Sequence, residues 1–310
     1  MTLTIVGIHG LANKPPRETL AKWWEQSIRE GLEKNCGKDN PDLECRMVYW
    51  ADLLYKNLLH DDKAFVFDDL YNAQPYREAA DGALREHKDG FVDEARRIMQ
   101  SLGGSVIDRV KSSFNVDFAA NWILDKHLKD LALYYTPERR IRDRSGQLRP
   151  ARQVLIDELE RALRDVRGRQ VMVVAHSMGS IIAYDALRDI GRSDDRFDID
   201  YFVTIGSPLG LPHVKVNVYE ERKSYAKKGE TPVRTPTIVA KAWRNYADRL
   251  DPVAFDAHLS DDFDVNVRGI KVVDDLVSND YVAPDGKPNR HKSYGYLRTP
   301  ELSKLIAPLV

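Results

Sequence analysis

A chain of 310 residues with 43% hydrophobic content can bury the core of one large α/β domain, and its 47 basic and 48 acidic side chains nearly cancel. That balance supplies no global field to gather a nucleic-acid backbone or an anionic membrane surface, so neither is an expected partner. The opening Met1-Thr2-Leu3-Thr4-Ile5-Val6-Gly7 lacks the basic and long apolar regions of a secretion signal, and no later stretch approaches the roughly 18 apolar residues of a membrane span. These features predict a cytoplasmic protein without stable membrane insertion. Cys36 and Cys45 have neither C-x-x-C spacing nor histidine neighbours, and they read as free thiols of a reducing compartment rather than zinc ligands.

Leu3 to Ile8 alternates β-branched and small residues into His9-Gly10, the pattern of a buried strand ending in a turn. After Pro15-Pro16, the helical spacing of Leu20, Trp23, Trp24, Ile28 and Leu32 predicts a helix that Gly31 or Gly37 would end. Cys45 to Trp50 supplies a second strand. From about residue 55 to 150 the pattern turns helical, with one stripe through Phe91, Val92, Ala95, Ile98, Met99 and Leu102 and another through Phe118, Trp122 and Ile123. No strand signal of comparable quality stands out there. The stretch holds 16 basic and 16 acidic side chains, so its Arg139-to-Arg144 run reads as a solvated hinge rather than a site for an anionic partner.

Beyond the insertion, an amphipathic helix from Val154 to Val166 precedes a strand at Gln170 to Ala175, and a helical stretch at Ile181 to Ile190 precedes another strand at Tyr201 to Ile205. This alternation predicts a parallel sheet. The region from His213 to about Thr237 is rich in Lys and Arg and broken by Pro232 and Pro236, and reads as a long polar loop. Strands are expected at Ile238 to Asn245 and Ile270 to Val273, and a last helix near Tyr294 or Pro300.

The chemistry concentrates in Val171-Met172-Val173-Val174-Ala175-His176-Ser177-Met178-Gly179-Ser180, a strand, a sharp turn and the start of the apolar helix Ile181-Ile182-Ala183-Tyr184. A serine hydroxyl becomes an effective nucleophile when it projects from such an elbow toward a base and over backbone donors. Ala175 and Gly179 supply the small residues that a strained turn needs where strand and helix approach. The plainer alternative is an ordinary strand-to-helix loop with Ser177 as a helix N-cap.

The elbow resembles that of the α/β-hydrolases, specifically the compact lipase and esterase branch whose elbow reads Gly-His-Ser-x-Gly, with Ala175 in place of the first glycine. Ile8-His9-Gly10-Leu11 is similar to that family's His-Gly segment. The resemblance implies an oxyanion hole built from the backbone N–H groups of Leu11 and Met178, two fixed donors where charge develops on the carbonyl oxygen. It also implies the chain order nucleophile, acid, histidine. Only His258 and His291 follow the strand expected to carry the acid. His291, in Pro288-Asn289-Arg290-His291-Lys292-Ser293-Tyr294, resembles the family's His-x-Ser-Tyr segment. His258 lies amid Asp256, Asp261 and Asp262 and reads as a surface histidine, and His176 as a residue packed beneath the turn. Asp248-Arg249-Leu250-Asp251-Pro252-Val253 looks like the Asp-Pro-Val loop of the same branch, including its GPI-inositol-deacylase-like esterases. Asp251 is the favoured acid because Pro252-Val253 would pin and bury its loop, with Asp248 the alternative, otherwise a turn or surface ion-pair residue. Gly206-Ser207-Pro208-Leu209-Gly210 matches the branch after its next strand and contains no acid.

No H-E-x-x-H, G-x-x-x-x-G-K-[ST] or G-x-G-x-x-G pattern is present, and Asp261-Asp262-Phe263-Asp264 lacks the glycine and distant glutamate of a calcium loop and reads as a solvated turn. No metal or cofactor is expected. The reading is therefore a single α/β-hydrolase-fold domain over residues 1–310, mostly parallel, with a helical cap inserted at 55–150. It would be a serine hydrolase that cleaves a small-molecule or lipid carboxylic ester with Ser177, Asp251 and His291. Thioester hydrolysis or acyl transfer would use the same three residues. A noncatalytic interaction protein on the same fold, using the insertion and the basic loop to bind a partner, is the rival from another class.

Overall fold

The structure, a computed structural model, describes residues 2–56, 58–59, 74–80, 133–194, 196–223, 233–254 and 256–310. Strand β1 (Leu3–Ile8) is an inner strand with every residue buried. It pairs in parallel with β2 (Leu43–Val48) on one side and β5 (Gln170–His176) on the other. β6 (Ile199–Ile205), β7 (Val239–Asp248) and β8 (Val272–Val277) continue the sheet, giving the order β2-β1-β5-β6-β7-β8 with all neighbours parallel. The strand pattern sorts residues by the two-residue period of the pleat. Val171, Val173 and Ala175 enter one half of the core, and Met172 and Val174 the other. Between Ile199 and Tyr201 the register with β7 shifts by one residue, the extra one lying in β7.

Helices cover both faces, as an all-parallel sheet requires. On one face, α1 (Arg17–Cys36) buries Leu20, Trp24, Ile28 and Leu32, where it meets α6 (Ser293–Leu297) and α7 (Pro300–Ile306). Gly37, in the left-handed conformation at φ 62°, ends α1, while Gly31 lies inside it. On the other face, α3 (Ala151–Arg164) and α4 (Met178–Ser193) pack together. The chain thus leaves β1 toward one face and β5 toward the opposite one. The carboxyl ends of two neighbouring strands that diverge in this way are the usual place for a ligand in an open α/β sheet.

Four expectations need correction. Within the 55–150 stretch, β3 (Arg140–Arg142) and β4 (Leu148–Pro150) form an antiparallel hairpin. Arg144 at its tip is no hinge: it pairs with Asp52 of α2 (Ala51–Leu54), donates to Glu158 at 3.1 Å and donates to the Tyr49 carbonyl at 2.7 Å. Its guanidinium fastens the hairpin to the sheet edge. The predicted polar loop begins with a helix, α5 (Pro212–Lys223), whose Val214 and Val218 are buried. The acidic run near Asp261 is a short 3-10 turn, and Lys215 holds Asp262 at 2.8 Å and Asp256 at 3.1 Å.

The helical stripes through Phe91–Leu102 and Phe118–Ile123 lie outside the described residues, as does most of the predicted cap. Two further described parts of the 55–150 stretch lie against the rest of the fold. Tyr134 donates to Asp185 of α4 at 2.7 Å. Residues 74–80 cross the end of the molecule, where Tyr76 and the Ala79 N–H reach Glu30 of α1 and Arg298 reaches the Arg77 carbonyl. Among the described residues no helix is long and apolar enough to cross a membrane.

Candidate functional site

Ser177 occupies the turn between β5 and α4 at φ 54° and ψ −132°, a conformation that costs a non-glycine residue about 1–3 kcal/mol and persists only where its surroundings enforce it. The enforcement is visible. Its N–H donates to the Ile205 carbonyl at the end of β6 at 3.1 Å, and its carbonyl accepts the Ser180 N–H at 2.9 Å and the Ser180 hydroxyl at 2.6 Å. The Ser180 hydroxyl in turn lies 2.7 Å from that of Ser207. Although Ser177 stands at the N-cap position of α4, its side chain makes no capping hydrogen bond, and its buried hydroxyl has no hydrogen-bond partner among the described residues. The helix N-cap alternative therefore does not describe this serine.

The small residue at Gly179 answers to a different neighbour from the one expected. A methyl group there would fall 2.6 Å from the Ile8 carbonyl oxygen and 2.7 Å from that of His9, so α4 starts directly against the end of β1 rather than against its own strand. Gly10 comes equally near, since a Cβ at that position would lie 2.6 Å from the Ser177 Cβ. The turn after β1 and the serine elbow thus meet at Gly10 and Ser177.

Leu11 and Met178, the two expected oxyanion donors, follow Gly10 and Ser177 in these two turns. Met178 opens the 16-residue α4, whose first turn carries no acidic side chain to neutralise the helix N-terminus. The Leu11 N–H is oriented by its neighbours. The buried His9 accepts the Trp50 N–H at Nε2 at 3.2 Å, which leaves Nδ1 protonated to donate to the Gly10 carbonyl at 2.8 Å. Burial, then the charge of Lys14, holds the His9 pKa well below the ordinary histidine range, so the ring stays neutral. Because the Gly10–Leu11 peptide is trans, fixing the Gly10 carbonyl toward His9 points the Leu11 N–H the other way. Lys14 Nζ also donates to the Leu11 carbonyl and, at 3.2 Å, to that of Ala12, a residue at φ 66°.

Asp251 and His291 come together across 40 residues, both fully buried, with His291 Nδ1 3.0 Å and 2.9 Å from the two carboxylate oxygens. That contact places the Nδ1 proton toward the carboxylate and leaves Nε2 as the basic nitrogen. Asp251 also accepts the Val253 N–H at 2.8 Å and the Tyr296 hydroxyl at 2.7 Å. The carboxylate is therefore anchored from the following turn and from α6. Asp248 is not a surface residue. It is buried, and its carboxylate takes the Leu250 N–H at 2.7 Å and the Asn279 N–H at 2.6 Å, tying the end of β7 to the segment after β8. Burial raises the Asp248 pKa above the usual aspartate range, against the pull of those two N–H groups.

Gly206, at φ 54°, joins the serine to this pair. It follows Ile205, which accepts the Ser177 N–H, and a methyl group on it would lie 2.8 Å from Asp251 Oδ2 and 3.2 Å from His291 Nδ1. Only a glycine permits both the backbone conformation and this approach. His176 does more than pack beneath the turn: its Nε2–H donates to the His291 carbonyl at 2.8 Å, and the two rings sit 4.7 Å apart. Burial, followed by the charge of His291, keeps the His176 pKa well below normal. The His291 N–H is held at 3.1 Å by Asn289, which donates to Gln74 at 2.9 Å, so the insertion braces the histidine loop. Lys292 lies over the Tyr294 ring at 5.2 Å, its pKa drawn well down by burial and then by Lys14. His258 is half-buried, and its N–H caps Asp256 at 3.1 Å.

Tyr296, Asn279, the His176 hydrogen bond and the Gln74–Asn289 contact escaped the sequence reading. Each depends on segments distant in sequence, and nothing in the local pattern marks Tyr296 apart from the neighbouring Tyr294. No protein-family model matches the chain, and neither a curated protein nor a solved structure is detectably similar to it.

Proposed function

We propose that this chain is a serine hydrolase with the α/β-hydrolase fold, cleaving a carboxylic ester of a small molecule or lipid through an acyl-enzyme on Ser177. The observation that carries the reading is the buried Asp251–His291 contact, brought by Gly206 to the elbow where Ser177 is held in a strained conformation with its hydroxyl uncommitted to any cap. A structural serine needs no strain, and a buried carboxylate–imidazole pair needs no serine; that both lie against the Ile205–Gly206 end of β6 supports the reading.

In the reaction, His291 Nε2 takes the Ser177 hydroxyl proton as Oγ attacks the ester carbonyl, and Asp251 stabilises the imidazolium that forms. The negative charge on the tetrahedral oxygen falls to the Leu11 and Met178 N–H groups. The intermediate collapses as His291 passes its proton to the leaving alcohol. Water, deprotonated by His291, then attacks the acyl-enzyme and releases the acid and the serine.

The test is turnover of p-nitrophenyl acetate and butyrate by the purified chain, with acid-quenched samples weighed by mass spectrometry. Turnover with an acyl group retained on the protein supports the reading, whereas a folded chain that neither hydrolyses nor becomes acylated contradicts it.

A further inference from the structure

Tyr296 is placed where its hydroxyl has two obligations. It donates to Asp251 Oδ2 at 2.7 Å and accepts the Asp248 N–H at 2.9 Å, and its ring is fully buried, with an edge carbon 3.1 Å from the Cβ position of Gly206. The N–H of Asp248 occupies a lone pair of the hydroxyl and so directs the phenolic proton at Asp251. This is the carboxylate oxygen that also contacts His291 Nδ1 at 2.9 Å. We infer that Tyr296 is a positioning residue that fixes the Asp251 carboxylate and tempers its charge, thereby setting the basicity of His291; this rests on the triad reading above. Burial, then the charges of Asp251 and Asp248, pushes the phenol pKa well above normal, which favours Tyr296 as a donor.

The sign of the effect follows from the direction of the bond. A donated hydrogen bond spreads the carboxylate's negative charge and weakens its hold on an imidazolium. Without it, the imidazolium is favoured and the base is lost at a higher pH. Among the described residues, the other ionisable groups around the pair are His176 from β5, Asp248 at the end of β7 and Lys292 beside the histidine, with the charges of Lys14 and Arg290 further out. None of these side chains is altered by removing the Tyr296 oxygen, and the Asp248 N–H that loses its acceptor carries no charge.

Tyr296→Phe keeps the ring and deletes only the oxygen. Its kcat is expected to fall about tenfold, the scale of one charge-assisted hydrogen bond, with KM little changed. The acid limb of kcat/KM is expected to move to higher pH. Incorporation of 3-fluorotyrosine at position 296 retains a stronger donor and should move the same limb to lower pH. If Tyr296→Phe does not fold, the fluorotyrosine protein alone decides. Opposite displacements in the two proteins, or the fluorotyrosine shift alone in that case, support the inference. Acid limbs that superimpose on that of the wild type overturn it, because a purely structural tyrosine would alter yield or amplitude and not the limb. Ser177→Ala, run alongside, separates the two levels: activity that survives in that variant defeats the triad reading itself, whereas its loss with unmoved acid limbs defeats only the role of Tyr296.

Discussion

Ser177→Ala is expected to lower kcat on p-nitrophenyl esters by on the order of 10⁶-fold, the loss typical of removing the nucleophile from a triad that acts as a unit. It should also end labelling by a fluorophosphonate. The protein should remain folded, because alanine preserves the Cβ that faces Gly10, the N–H bonded to Ile205 and the carbonyl bonded to Ser180, while the deleted oxygen makes no hydrogen bond among the described residues. Circular dichroism before the assay separates loss of chemistry from loss of fold. A folded variant with wild-type turnover would place the nucleophile elsewhere.

Asp251→Asn is expected to cost about 10⁴ in kcat, since an amide at this position lets His291 adopt the wrong tautomer and no longer stabilises the imidazolium. Asp248→Asn should behave differently. Its carboxylate is taken up by two backbone N–H groups, from Leu250 and Asn279, and an amide can satisfy only one of the two with oxygen. That variant should lose about 1–3 kcal/mol of stability while retaining most of its kcat. Thermal or urea unfolding and kcat on one soluble ester, measured for both variants, check the contrast. A large kcat loss in Asp248→Asn with a small one in Asp251→Asn would reverse the roles.

The sheet was legible in the sequence because its strands are buried on both faces and read as short apolar runs bounded by turn residues. Leu3–Ile8 and Gln170–His176 emerge almost residue for residue. The helix Pro212–Lys223 was missed because it presents only Val214 and Val218 to the core as a buried stripe amid charged neighbours, and the nearby prolines suggested a break sooner than it comes. The hairpin Arg140–Arg142 with Leu148–Pro150 was missed because its residues are mostly exposed and carry no apolar alternation; the Arg144 ion pairs that dock it bring together residues as far apart as Asp52 and Glu158.

The site divides in the same way. Ser177, Asp251 and His291 could be singled out because each sits in a local pattern with its own physical reason, and the structure brings Asp251 and His291 into contact. The parts that orient them could not be read. Tyr296 acts through a hydroxyl that meets Asp248 and Asp251 only after β7 and α6 have packed, and Gln74 reaches the histidine loop from 215 residues away. Asp248 looked like a surface residue beside Arg249, yet the fold buries it and gives its carboxylate two backbone partners.

The most direct test of the account is to treat the folded wild-type protein with a fluorophosphonate, digest it and locate the adduct by tandem mass spectrometry. A single adduct on Ser177, formed more slowly as the pH is lowered and the base is protonated, is the expected result. An adduct on any other serine, or no adduct on a folded protein, would contradict it.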